Sequence, residues 1–124
     1  MSMKLSIFAA ALSMFAVSSA AYADGDAVAG KSVFNKCAIC HSAAPGKTII
    51  GPTLFGIVGR PSASVAGFSY SDAMKAANKT WDEATLNAYL TDPKAMVPGT
   101  KMTFAGLPKP EDRANVIAYL STLK

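Results

Sequence analysis

The only two cysteines and the only histidine of this 124-residue chain fall within one hexapeptide, Lys36-Cys37-Ala38-Ile39-Cys40-His41. Two thiols at this spacing, with an imidazole on the next residue, fit covalent attachment of haem. Each thiol adds across one vinyl group of the porphyrin, and two intervening residues match the separation of those vinyls. The imidazole one position on then reaches the iron from one face as its proximal ligand. Other uses of a C-x-x-C pair fit less well. A thioredoxin-like dithiol wants a βαβ setting, and no strand alternation is visible. A structural zinc ion needs four ligands, and no further Cys or His completes the set. A disulfide between Cys37 and Cys40 would close too small a loop to constrain the unfolded chain much. The three side chains predict one haem c per chain, covalent through Cys37 and Cys40, with His41 on the iron.

The iron has a sixth position, and this chain has no second histidine to fill it. A thioether is the natural donor in an electron carrier, because sulfur favours the reduced iron and raises the potential. Beyond residue 23 there are three methionines, Met74, Met96 and Met102. Met74 falls in a short helical stretch, where filling a core is the ordinary use of methionine. Met96 follows the Asp92-Pro93 turn. Met102 sits in VPGTKMTFAG, between a Pro-Gly turn and another glycine. A loop of that kind can lie across a haem face, and this context favours Met102.

These side chains need a scaffold, and the first 23 residues are not expected to be part of it. Lys4 opens a positive start, Leu5 to Val17 is apolar apart from Ser6 and Ser13, and small residues end in Ala21-Tyr22-Ala23. That order is a secretory signal peptide cleaved after Ala23. The apolar run is short for a membrane-spanning helix. Residues 24–124 would then be the exported domain, in the periplasm. Of its 101 residues 46 are apolar, an ordinary globular share. Eleven basic and eight acidic side chains remain once Lys4 is gone. This mild positive charge has no dense Lys/Arg run of the kind that tracks phosphates, so it favours an acidic protein partner over nucleic acid.

No repeat, low-complexity tract or interdomain linker is visible. The spacing predicts a first helix from about Ala27 to Ala38, capped by Asp26, with Val33, Phe34 and Cys37 on one face. Gly30 near that face implies close approach by another backbone. A short helix is expected near Ser71 to Ala77. A third spans about Trp81 to Leu90, with Thr80 and Glu83 at capping-box spacing, and Asp92-Pro93 stops it. The last runs from about Pro110 to Leu123, with proline, Glu111 and Asp112 at its positive start. Its stripe of Val116, Ile117, Leu120 and Leu123 is expected to cross the first helix near Gly30. The rest is loop.

The motifs GKSVFNKCAICH, GPTLFGIVGR, GFSYSDAMK, TWDEATLNAYLTDPK, VPGTKMTFAG and RANVIAYL follow one another over nearly all of residues 28–123. In that order and spacing they resemble class I cytochrome c, in the branch that holds mitochondrial cytochrome c and the bacterial cytochromes c2. The resemblance implies an all-α fold of three main helices and a short one, with long loops wrapped around one covalent haem. It implies Met102 as distal ligand, agreeing with the loop argument. Pro52 would accept the other N–H of His41. Arg60, Tyr70 and Trp81 would donate to buried haem propionates, and Tyr89 and Thr100 would line the methionine side. Gly30, Phe34, Tyr119 and Leu120 would form the crossing of first and last helices. Met74 stands where this branch usually has asparagine, which implies a drier pocket. The loop from His41 to Gly51 is one residue shorter than in the animal proteins. Lys36, Lys47, Lys94, Lys101 and Lys109 would ring the exposed haem edge and steer encounter with acidic partners. A membrane oxidase, a reaction centre, a bc1-type complex or a periplasmic dehydrogenase would fit. The expected function is one-electron transport by a soluble monomer that is no enzyme by itself. Were Met102 easily displaced, the open iron would suit small-ligand binding or peroxidase-like chemistry instead.

Overall fold

The computed structural model describes residues 25–124 and the isolated Ala11. The signal-peptide reading of residues 1–23 and its cleavage site lie outside the described residues. Helix α1 spans Ala27–Phe34, and the Asp26 carboxylate caps it by accepting from the amides of Val28 (2.8 Å) and Ala29 (3.3 Å). The expected continuation to Ala38 is not helical. From Asn35 the chain winds on through turns, with the Cys37 amide donating to Phe34 O (2.7 Å) and the Cys40 amide to Cys37 O (3.0 Å). These bonds reach back three residues rather than four, which tightens the backbone.

Helix α2, Asp72–Ala77, starts at Ser71, whose hydroxyl accepts from Met74 N at 3.0 Å, and stops at Asn78 in the left-handed region. Helix α3, Glu83–Thr91, is capped by Asp82, not by Thr80. The reason lies upstream: Thr80 is bridged to Pro61, and Trp81 exchanges backbone hydrogen bonds with Gly59 and Arg60, which holds residues 80–81 extended. The Asp82 carboxylate accepts from Thr85 N at 2.7 Å. Asp92-Pro93 ends α3 as expected and also begins a helix the periodicity did not show. In α4, Pro93–Met96, Asp92 caps Ala95 N (3.2 Å) and proline takes the first turn. Helix α5, Pro110–Leu120, begins with proline, Glu111 and Asp112 and ends three residues before Leu123.

Helices α1 and α5 cross, and Gly30 makes the crossing possible. A Cβ at position 30 would lie 1.8 Å from Asn115 O, inside the other helix's backbone. The Asp26 amide donates to Asn115 Oδ1 at 2.8 Å, and the rings of Phe34 and Tyr119 pack at 5.2 Å. Val116, Ile117 and Leu120 form the buried stripe of α5. The core continues through Ile57, Trp81, Leu86 and Tyr89, and these four residues, with Val116 and Leu120, also form one wall of a large cavity. Core and site therefore share side chains. Strands are absent among the described residues, where the Pro61–Thr80 bridge is isolated. No helix among them is long and apolar enough to cross a membrane.

Candidate functional site

The cavity measures about 680 Å³, within the range of cofactor sites. Its lining contains all ten residues that the sequence singled out for cofactor binding: Cys37, Cys40, His41, Pro52, Arg60, Tyr70, Trp81, Tyr89, Thr100 and Met102. They come from the turns after α1, the loop of residues 41–71, the extended residues before α3, α3 itself and the loop between α4 and α5.

On one wall, His41 Nδ1 lies 2.7 Å from Pro52 O. A carbonyl only accepts, so Nδ1 carries the proton and Nε2 keeps its lone pair for a metal. The ring rests on the backbone of Gly51, where a Cβ would come within 2.6 Å of His41 Cε1. Gly51 is itself tied to the attachment segment, its amide donating to Cys40 O at 2.7 Å. Cys37 and Cys40 are free, half-buried thiols. Burial, and then the neighbouring Cys40, push the Cys37 thiol up from its ordinary range, while Lys36 acts the other way.

Met102 is half-buried in the loop after α4, and its amide donates to Thr100 Oγ1 at 3.3 Å. The Tyr89 hydroxyl donates to Met102 Sδ at 3.9 Å. Burial raises the Tyr89 phenol, and the side chain of Thr100 opposes the shift. The Tyr89 ring packs on Trp81 at 4.9 Å, so α3 supplies both the position and the donor.

Arg60 brings charge to the cavity lining. Its Nη1 donates to Phe55 O (3.1 Å) and its Nη2 to Thr53 O (3.0 Å), while its buried Nε has no partner. Burial pulls the guanidinium down from its ordinary value, and Tyr70 acts the other way. A buried donor without an acceptor is costly, and a guanidinium in the lining of a cofactor cavity fits an anionic group there. The Tyr70 hydroxyl accepts from Val65 N at 2.9 Å, and the Tyr70 ring meets Phe68 edge-on at 4.7 Å. Met74 also lines the cavity. Of the five exposed lysines expected around the opening, Lys36 and Lys101 line the cavity, and Lys47, Lys94 and Lys109 do not.

Thiols, a pre-oriented imidazole, a thioether and an orphaned guanidinium around one apolar cavity are the donor set of a covalently haem-binding protein. One residue that shapes this site was not singled out for it: Gly51, the platform for the His41 ring, carries no reactive group for a sequence pattern to mark.

The sequence profile of the family described as Cytochrome c matches residues 27–124, and the chain belongs to that family. It is 56% identical over 106 residues to a cytochrome c2 of Rhodomicrobium vannielii, covering 85% of each chain. It is 46% identical over 121 residues to cytochrome c-554 of Methylosinus trichosporium, covering 97% of this chain and 92% of the relative. The solved cytochrome cH of Methylobacterium extorquens superposes with a TM-score of 0.75 at 45% identity, covering 79% of this chain and 99% of that one. Within the family the chain is a class I c-type cytochrome of the c2 branch, with the all-α fold that the motifs implied.

Proposed function

We propose that the chain is a single-haem electron carrier of the periplasm, exported by cleavage after Ala23. The observation that carries the reading is one cavity lined both by an imidazole tautomerised by Pro52 and by a thioether held under the Tyr89 hydroxyl. When bound, haem c supplies a one-electron iron couple. The chain's own residues do the rest. Cys37 and Cys40 would hold the macrocycle by thioether bonds, and the Pro52 carbonyl, by taking the Nδ1 proton of His41, leaves Nε2 as the nitrogen that would bind iron. The Tyr89 hydroxyl draws electron density from Met102 sulfur, which favours the reduced state. Arg60 offers its free Nε–H to a propionate, with Tyr70 and Trp81 beside it in the lining. Leu86, Val116 and Leu120 keep the interior apolar. If His41 and Met102 were both to hold the iron, no position would be left for a substrate, so no enzymatic activity is expected.

The signal-peptide pattern and the bacterial cytochromes c2 among the relatives support export. The mild positive charge and the lysines at the cavity opening, Lys36 and Lys101, support acidic docking surfaces on redox partners, with Lys47, Lys94 and Lys109 extending the basic surface. A membrane oxidase, a reaction centre, a bc1-type complex or a periplasmic dehydrogenase would suit. Absorption spectra of the mature protein, made with haem-attachment machinery, test the reading. A weak far-red ferric band is expected that disappears in Met102→Ala and persists in Met74→Ala. Covalent haem without that band would replace the carrier by a small-ligand or peroxidase-like haem protein.

A further inference from the structure

Outside the cavity, α5 carries a charge where its sequence offers an apolar stripe. Arg113 is buried, and every acceptor it reaches is neutral. Its Nε donates to Asn87 Oδ1 on α3 at 2.9 Å, and its Nη1 donates to Leu107 O at 2.7 Å and Pro108 O at 3.2 Å. An apolar side chain of similar volume would avoid desolvating a cation. What the guanidinium adds is directional hold on three acceptors at once.

Two of those acceptors, Leu107 O and Pro108 O, lie at one end of the loop that carries Met102. At the other end, the Val97 amide donates to Pro93 O at 2.9 Å and the Thr100 amide to Val97 O at 3.0 Å. Between Thr100 and Leu107 no backbone amide donates to another backbone carbonyl among the described residues. The stretch containing Met102 therefore spans two fixed points, and Leu107 is the second. Leu107 is 1% exposed, its amide donates to Leu90 O at 2.7 Å, and its carbonyl belongs to Arg113. Met102 meets α3 through Tyr89, two residues beyond Asn87 in the same helix. The clamp and the sulfur thus share one rigid element.

We infer that Arg113 is a positioning residue for the thioether: it clamps the downstream end of the Met102 loop onto α3 and α5, and so sets how often Met102 leaves the iron. The inference rests on the reading of Met102 as the distal ligand. Loss of the clamp loosens one end of the loop, leaving Leu107 held by its amide bond to Leu90 O alone among backbone bonds, without touching the sulfur, Tyr89 or Thr100.

The test uses ferric holoprotein and saturating imidazole, so that the decay rate of the far-red band reports departure of the sulfur. Arg113→Lys keeps the charge but cannot span the three acceptors, and should speed the decay about tenfold or more, the effect of losing a charge-assisted hydrogen bond. Ile117→Val, on the same helix but outside the cavity lining, should also lower the melting temperature yet leave the decay within about twofold of wild type. A decay in Arg113→Lys within twofold of that in Ile117→Val would reduce Arg113 to general stability and overturn the inference. If Arg113→Lys gives no folded holoprotein, amide exchange in the wild type decides. The Leu107 amide should exchange as slowly as those of α5, and the Met102 amide sooner. Exchange of Leu107 together with Met102 would show no fixed end and would overturn it too. A far-red band that is missing in the wild type, or that survives Met102→Ala, is a separate result that removes the ligand reading and this inference with it.

Discussion

Gly51→Ala tests the geometry of the imidazole wall with one carbon atom. The new Cβ would lie 2.6 Å from His41 Cε1, 2.8 Å from Nδ1 and 3.0 Å from Nε2. Ordinary carbon contacts begin near about 3.5 Å, so relief requires a displacement of roughly 1 Å. If the ring takes that displacement, its 2.7 Å hydrogen bond to Pro52 O stretches past any useful length. If the backbone takes it, the Gly51–Cys40 bond at 2.7 Å opens instead. Overpacking of this kind costs about 1–3 kcal/mol, and a lost hydrogen bond adds about 1 kcal/mol. At 4–8 °C per kcal/mol for a domain of about 100 residues, the holoprotein should melt at least about 10 °C lower. Gly46→Ala is the control. Gly46 has φ of +67° and nothing within 4 Å of its would-be Cβ, so alanine there carries only a backbone penalty of about 1 kcal/mol. Thermal melts by circular dichroism compare the two, and the His41 ring N–H resonance reports the hydrogen bond. A Gly51→Ala protein that melts no lower than Gly46→Ala, with that resonance unmoved, would refute the claim that the ring is wedged between Gly51 and Pro52.

Three other outcomes are expected. Tyr89→Phe removes the donor to Met102 sulfur and should lower the reduction potential by on the order of 40 mV, if that bond is worth about 1 kcal/mol more with the iron reduced; voltammetry reads the shift, and a rise would invert the assigned polarity. Gly30→Ala places a carbon 1.8 Å from Asn115 O and should cost more than about 3 kcal/mol in urea unfolding, since neither backbone can retreat without opening the Asp26–Asn115 bond. The Asp82 carboxyl is held below its ordinary value of 3.8 by hydrogen bonding from Thr85, side chain first and then backbone. Its folded value is depressed, so its contribution is full above about pH 4 and is lost as pH falls through the folded value; Asp82→Asn, still able to cap, should lose less stability than wild type between pH 6 and pH 3 in urea melts.

The chemistry of the site was readable because it depends on residue type and local spacing. Cys37, Cys40 and His41 lie within five positions, and Met102 announced itself through its Pro-Gly loop. Gly30 could be read as a crossing point because a glycine at a helical position needs a steric cause. What escaped depends on long-range pairing. Thr80 and Glu83 have the capping-box spacing, yet Trp81 exchanges backbone hydrogen bonds with Gly59 and Arg60 and so cannot begin the helix, which leaves the cap to Asp82. Phe34 ends α1 although Cys37 continues its periodicity, because the turns that follow mix bonds reaching back three residues with bonds reaching back four. Helix α4 is one turn long, too short for any periodicity. Arg113 reads as a surface charge until the carbonyls of Leu107 and Pro108 are seen beside it.

The crossing of α1 and α5 bears on how such a chain is made. The amide of Asp26 finds its acceptor 89 residues later, on Asn115. Closing a loop of that length carries a length-dependent entropic cost of about 4 kcal/mol. A nascent chain shorter than Asn115 therefore has nothing to complete that crossing. The contact between the two helices can form only once α5 has left the ribosome.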